Sequence, residues 1–206
     1  SSTTPPAHNK LLLPRKGKEL SRQMPYMLSI HVRPPEIEDR HFPGHREGDL
    51  IKGEVNASAV VTLVERTSRL VMLVKLPEFK PASAANVLQA FTDKLLGIAQ
   101  PMRLSMTYDQ GREMSMHKKL SEQTGIAVYF CDPHSPWQRG SNENMNGLVR
   151  QYLPKGTDLS IYSQEQLDAI ADEINNRPRK GLGVRSPLAV YRELLVNSPQ
   201  HSTLIH

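Results

Sequence analysis

Asp49, Asp109 and Glu143 stand in settings that suit phosphoryl-transfer chemistry. Asp49 lies in Glu47-Gly48-Asp49-Leu50-Ile51, a short run with strand character, and Asp109 ends the apolar run 104–109, just before the breaker Gly111. Glu143 sits in residues 140–147, where a helical pattern begins. Two strand-borne aspartates with a helix-borne glutamate are what a two-metal phosphoryl-transfer site requires. Hard Mg²⁺ ions take oxygen ligands from one or two carboxylates each and leave room for water and substrate phosphate.

The helix around the glutamate has two faces. At about 100° per residue, Arg150 falls within roughly 20° of Glu143, and Arg139 and Asn146 within about 40–60°. Met145, Leu148, Val149 and Tyr152 fall on the opposite side and are expected to pack on a sheet. The polar face thus offers a carboxylate flanked by two arginines and an amide, which suits bidentate phosphate contacts. On the wheel alone, a solvated face with an intrahelical Glu–Arg attraction is the favoured reading.

Residues 47–53, 58–64 and 70–76 read as strands rich in Val, Leu and Ile, the last two joined as a hairpin by the polar turn 65–69. A helix is expected to open at Pro81 and close before Pro101, carrying Ala85, Val87, Leu88, Phe91, Leu95 and Leu96 at helical spacing. Strand 103–108, helix 113–123 and strand 126–131 follow, then one long helix from Ser135-Pro136 to Tyr152 and another capped by Ser163 and ending before Pro178. The order βββαβαβαα predicts an α/β fold around a mixed five-stranded sheet with helices on both faces.

The chain has 206 residues, a formal charge of +5 and a pI near 9.4, a balance that favours a polyanionic partner. Residues 1–35 hold six prolines and six Lys or Arg against the single acid Glu19, and read as an extended basic linker. The expected division is linker 1–35, core 36–195 and tail 196–206. The single cysteine, Cys131, excludes an internal disulfide and reads as a buried strand end; with His134 it lacks the second ligand pair of a zinc site. No stretch approaches the roughly 20 apolar residues of a membrane span.

Three segments carry a resemblance. Residues 42–51 (FPGHREGDLI), 107–113 (TYDQGRE) and 132–144 (DPHSPWQRGSNEN) resemble the DDE transposases of bacterial insertion sequences, of the insertion-sequence-thirty type, within the retroviral-integrase superfamily. The resemblance covers about residues 33–195, and its third block is the most specific. It implies an RNase H-like core with Asp49, Asp109 and Glu143 as the catalytic and metal-binding triad, and Arg150 as the basic residue seven positions after the glutamate. It further implies two Mg²⁺ ions (Mn²⁺ as substitute), cleavage and strand transfer of DNA, and an oligomer on terminal inverted repeats and target DNA in a bacterial cytoplasm. Arg46 stands where the family usually has a tryptophan, and Val184 where it commonly has an aromatic residue. A charge in place of a large packing residue three positions before Asp49 bears on how firmly that aspartate is held.

Around the triad, Gln110, His134, Arg139, Asn142 and Asn146 are candidate DNA contacts, as are Arg150 and the basic stretch Arg177, Arg179 and Lys180, which Arg185 extends. Trp137 is expected to anchor its helix in the core rather than stack on a base. The competing functions are an RNase H-like nuclease without strand transfer and a catalytically inactive DNA-binding or assembly module.

Overall fold

The computed structural model describes residues 27–76 and 84–197. Its strands are β1 (Leu28–Ser29), β2 (His45–Lys52), β3 (Ala59–Glu65), β4 (Val71–Leu76), β5 (Ser105–Tyr108) and β6 (Ala127–Phe130). They form one mixed sheet in the order β1-β6-β5-β2-β3-β4. β2, β3 and β4 are antiparallel neighbours, whereas β2, β5, β6 and β1 run parallel. The described helices are α1 (Pro35–Glu38), α2 (Ala84–Leu96), α3 (His117–Thr124), α4 (Gly140–Val149), α5 (Gln164–Asn175) and α6 (Pro187–Val196).

β3 is buried at every position because it has a strand on either side and helices over both faces. On one face Leu63, Val74, Met106 and Tyr108 pack with Val87, Phe91 and Leu95, the residues that give α2 its helical apolar period. On the other, Ile51, Val60 and Leu73 pack with Met145 and Val149 of α4 and Leu167 and Ile174 of α5. The apolar side of the glutamate helix therefore lies on the sheet as its wheel requires. Ser163 caps α5, accepting from Gln166 N at 3.1 Å while Gln166 Oε1 accepts from Ser163 N at 2.9 Å. The turn between β3 and β4 is held by the buried Glu65, whose carboxylate accepts from Ser68 N at 2.7 Å.

Helices do cover both faces of a mixed sheet, but the sheet has six strands, not five. The sixth is β1, contributed by the segment read as linker and paired parallel to β6 through Leu28–Tyr129 and Ser29–Phe130. Two residues between prolines and basic side chains carry no period-2 signal, so pairing rather than propensity makes this strand. The expected single helix 135–152 is instead a 3-10 turn, Pro136–Arg139, followed by α4, with a break at Arg139 (φ −128°, ψ 50°). α6 was not anticipated, and the expected helix start at Pro81 lies outside the described residues.

Arg46 is enclosed completely, on the α2 side of β2 and so on the opposite face from Asp49. Its guanidinium donates to Met102 O at 3.3 Å and Tyr191 Oη at 3.2 Å, and lies 5.9 Å from the Tyr191 ring centre. The charge is accommodated by α6, which brings Tyr191 over it.

Candidate active site

The parallel pairing of β2 with β5 sets Glu47 opposite Thr107. Asp49 stands two residues further along β2, and Asp109 follows the last residue of β5, on the side covered by α4. Arg139, at the break before α4, reaches both: Nη1 is 3.0 Å from Asp49 Oδ1, and Nη2 is 4.0 Å from Asp109 Oδ2. Nη1 also donates to Gly48 O at 3.0 Å. Burial pulls the Arg139 pKa down, but the two carboxylates outweigh it and hold the group above its ordinary value.

Each aspartate is further fixed by donors. Asp49 Oδ2 accepts from Asn146 Nδ2 at 2.9 Å and Oδ1 from its neighbour Leu50 N at 2.9 Å. Asp109 Oδ1 accepts from Gly111 N at 2.9 Å, so the glycine read as a breaker supplies an amide to the carboxylate. Thr62, opposite Asp49 on β3, directs its hydroxyl to Asn146 Oδ1 and Asn142 Oδ1, both at 3.1 Å. Asn142 is therefore a buried strut: its backbone N donates to Glu47 Oε2 at 3.0 Å.

Glu47 and Arg66 lie beneath this layer, with Arg66 Nε 3.2 Å from Glu47 Oε1, near enough for charge attraction but off line for a hydrogen bond. Burial pushes the Glu47 pKa up, with Arg66 and the Asn142 amide opposing it. Sequence reading missed Glu47, Thr62 and Arg66. The alternation of β2, which puts residues 47, 49 and 51 on one face, was the available signal for the first.

Glu143 is exposed in the first turn of α4 and does not close with the aspartates. Among the described residues, no group of three His, Cys, Asp or Glu side chains is disposed to hold a metal ion. The fit to a hard divalent cation rests on Asp49 and Asp109, whose oxygens already converge on one cationic group.

The other expected contacts separate into three places. Gln110 and His134 line a cleft of about 530 Å³ with Asp109, Cys131 and Arg139, where Gln110 Nε2 donates to Cys131 O at 3.0 Å and His134 adopts φ +56°. Arg150 turns away and donates to the carbonyls of Lys52 (3.0 Å) and Leu153 (3.3 Å). Arg177, Arg179 and Lys180 line a separate cleft. Trp137 is 70% exposed, contrary to the expected core anchor, because the 3-10 turn swings it outward beside Arg33, Arg40 and Arg66. Cys131 is buried as expected, and burial pushes its thiol pKa up to about 11.

No protein-family model matches the chain. Over 191 residues it is 61% identical to the transposase for insertion sequence element IS1086 of Cupriavidus metallidurans, covering 93% of this chain and 56% of that protein. Over 173 residues it is 46% identical to transposase InsI for insertion sequence element IS30A of Escherichia coli K12, covering 84% of this chain and 44% of that protein. The chain thus spans about half the length of the curated relatives it matches. The catalytic core domain of BIV integrase superposes with a TM-score of 0.52 at 22% identity, covering 73% of this chain and 94% of that one. The fold is that of an integrase catalytic core, RNase H-like, with β1 at the edge of its sheet.

Proposed function

We propose, from the chain's kinship with the insertion-sequence transposases, that it is the catalytic portion of such an enzyme, cleaving DNA strands and joining element ends to a target. The observation that carries this reading is the convergence of Asp49 and Asp109 on one guanidinium at the β2–β5 junction. In this reading Asp49 and Asp109 hold Mg²⁺ (or Mn²⁺), and Glu143 is the third carboxylate. The bound ions would activate the attacking oxygen and neutralise charge gathering at phosphorus.

The chain's own residues position the reactants. Asn146 and the Gly111 amide orient the two carboxylates, and Thr62 fixes the Asn146 amide. Arg139, released from the aspartates, would clamp a phosphate with two donors. The attack is in line, by water and then by a 3′-hydroxyl; the phosphorus–oxygen bond breaks toward the departing 3′-oxygen, which takes up a proton. Gln110 and His134 would bound the DNA path, with terminal repeats and target DNA as partners and a homo-oligomer as the working assembly. In this scheme the basic, proline-containing sequence before β1 serves as a connector.

A second reading, a silent DNA-binding module, is favoured by the outward placement of Glu143 and by the arginine across the aspartates. Supercoiled-plasmid nicking and strand transfer in Mg²⁺ or Mn²⁺, beside Asp49→Asn and Glu143→Gln, decides between them. Metal-dependent products lost in both variants support the transposase reading, with joined products excluding a simple nuclease. Equal background in all three proteins supports the silent module.

A further inference from the structure

Arg69, Arg177, Arg179 and Lys180 line one cleft of about 380 Å³ between the β3–β4 turn and the loop joining α5 to α6, with Leu148 and Ile174 beneath. No carboxylate lines it. Among the described residues no ion pair joins any of the four cations to an acid, and the nearby Glu193 of α6 is taken by Arg185. Like charges gathered in a concavity raise the energy of the free protein. Burial, and then the Arg69 charge, lower the Arg179 pKa accordingly.

The arrangement is held rather than incidental. An antiparallel bridge between Arg179 and Arg185 closes the loop, with Arg179 N donating to Arg185 O at 3.0 Å. Within it Val184 takes φ +63°, an outlier for a β-branched residue, while 71% exposed. Arg69 has φ +62°, and its guanidinium lies against Gly181 so closely that a Cβ there would come within 2.2 Å of Nη1. Two surface turns with costly backbones thus converge four cations on one hollow.

We propose that this cleft binds the phosphates of a duplex DNA backbone, at a site separate from the carboxylate centre. It rests on the reading of the chain as a DNA-acting enzyme and adds Arg69 to the contacts that sequence alone offered. No aromatic side chain lines the cleft, so it holds phosphates and not unstacked bases.

The test is the salt dependence of metal-free binding of the full chain to a fluorescein-labelled duplex of arbitrary sequence, read by anisotropy. Each lost phosphate contact lowers the log–log salt slope by about 0.9. The paired change Arg69→Gln with Arg179→Gln is expected to lower it by about 1.8. Gly181→Ala, which displaces the Arg69 guanidinium but keeps every charge, lowers it by up to about 0.9. Lys119→Gln, an exposed charge on α3, leaves it unchanged. A slope unmoved by the paired change, or moved equally by Lys119→Gln, overturns the site. Inorganic phosphate titrated against the protein by ³¹P line broadening supplies a second arm. Tight binding that the paired change abolishes, with an unaltered duplex slope, reassigns the cleft to a small anion and also overturns the proposal. Plasmid nicking stays the separate measure of the catalytic reading: nicking intact with an unmoved slope sinks the cleft alone.

Discussion

Arg46 and Arg139 are both nearly removed from water, on opposite faces of β2, and they are treated oppositely. Arg139 meets two carboxylates that hold its pKa above the ordinary value. Arg46 meets neutral acceptors, a carbonyl and a tyrosine hydroxyl, and burial lowers its pKa. The comparison teaches that one side chain serves two ends: at Arg139 the charge balances two neighbouring carboxylates, while at Arg46 it fills a packing position with polar acceptors gathered around it.

The strongest attack on this contrast is Asp49→Asn. It is expected to reduce metal-dependent nicking by roughly a thousandfold, since several kcal/mol of charge stabilisation depend on the site. Arg139→Met and Arg46→Met should then differ in urea titrations without metal, only the first being destabilising. The first leaves two carboxylates facing each other and costs about 2 kcal/mol, less than for a fully buried pair because Asp49 keeps contact with water. The second removes a buried charge whose hydrogen-bond partners are neutral, with Glu65 acting on it only through space, and is neutral or stabilising by about 1 kcal/mol. Equal destabilisation by both would erase the distinction.

Divalent-ion affinity sharpens it further. Arg139→Gln should tighten Mn²⁺ binding, measured by electron paramagnetic resonance, by roughly tenfold, the equivalent of about 1.4 kcal/mol. Weaker binding would make Arg139 a supporter of the cation rather than its competitor. Tyr191→Phe should cost about 1 kcal/mol by removing a neutral acceptor from Arg46.

The smallest expected effect is on Cys131. Burial first raises its thiol pKa to about 11, and Arg139 opposes the rise. With thiolate scarce at pH 8, labelling by a disulfide reagent should run at least roughly a hundredfold slower than for an unfolded chain. Arg139→Gln slows it again, whereas Arg46→Met leaves it unchanged.

The sequence made the strands, the hairpin and the Ser163 cap legible because each has a local cause: side-chain alternation, a polar turn, a capping hydroxyl. β1 was hidden because its two residues are a strand only through β6. At the site, Asp49 and Asp109 were readable as acids on apolar runs, and Arg139 and Asn146 as wheel neighbours on one helix face. The exposure of Glu143 followed from its wheel position opposite Met145 and Val149, but that of Trp137 was not legible, because it depends on the 3-10 turn and the backbone break at Arg139 before α4.

The order of strands across the sheet also has a kinetic meaning. β2, β3 and β4 pair with their immediate neighbours in the chain, whereas β2 joins β5 across some sixty residues (His45 with Ser105). Short loops close before long ones, so a folding chain completes the hairpins first and adds β5 later. Asp49 is then in place well before Asp109 arrives beside it. The carboxylate pair belongs only to the finished fold, and a half-made chain, on a ribosome or after partial unfolding, has Asp49 without Asp109 beside it.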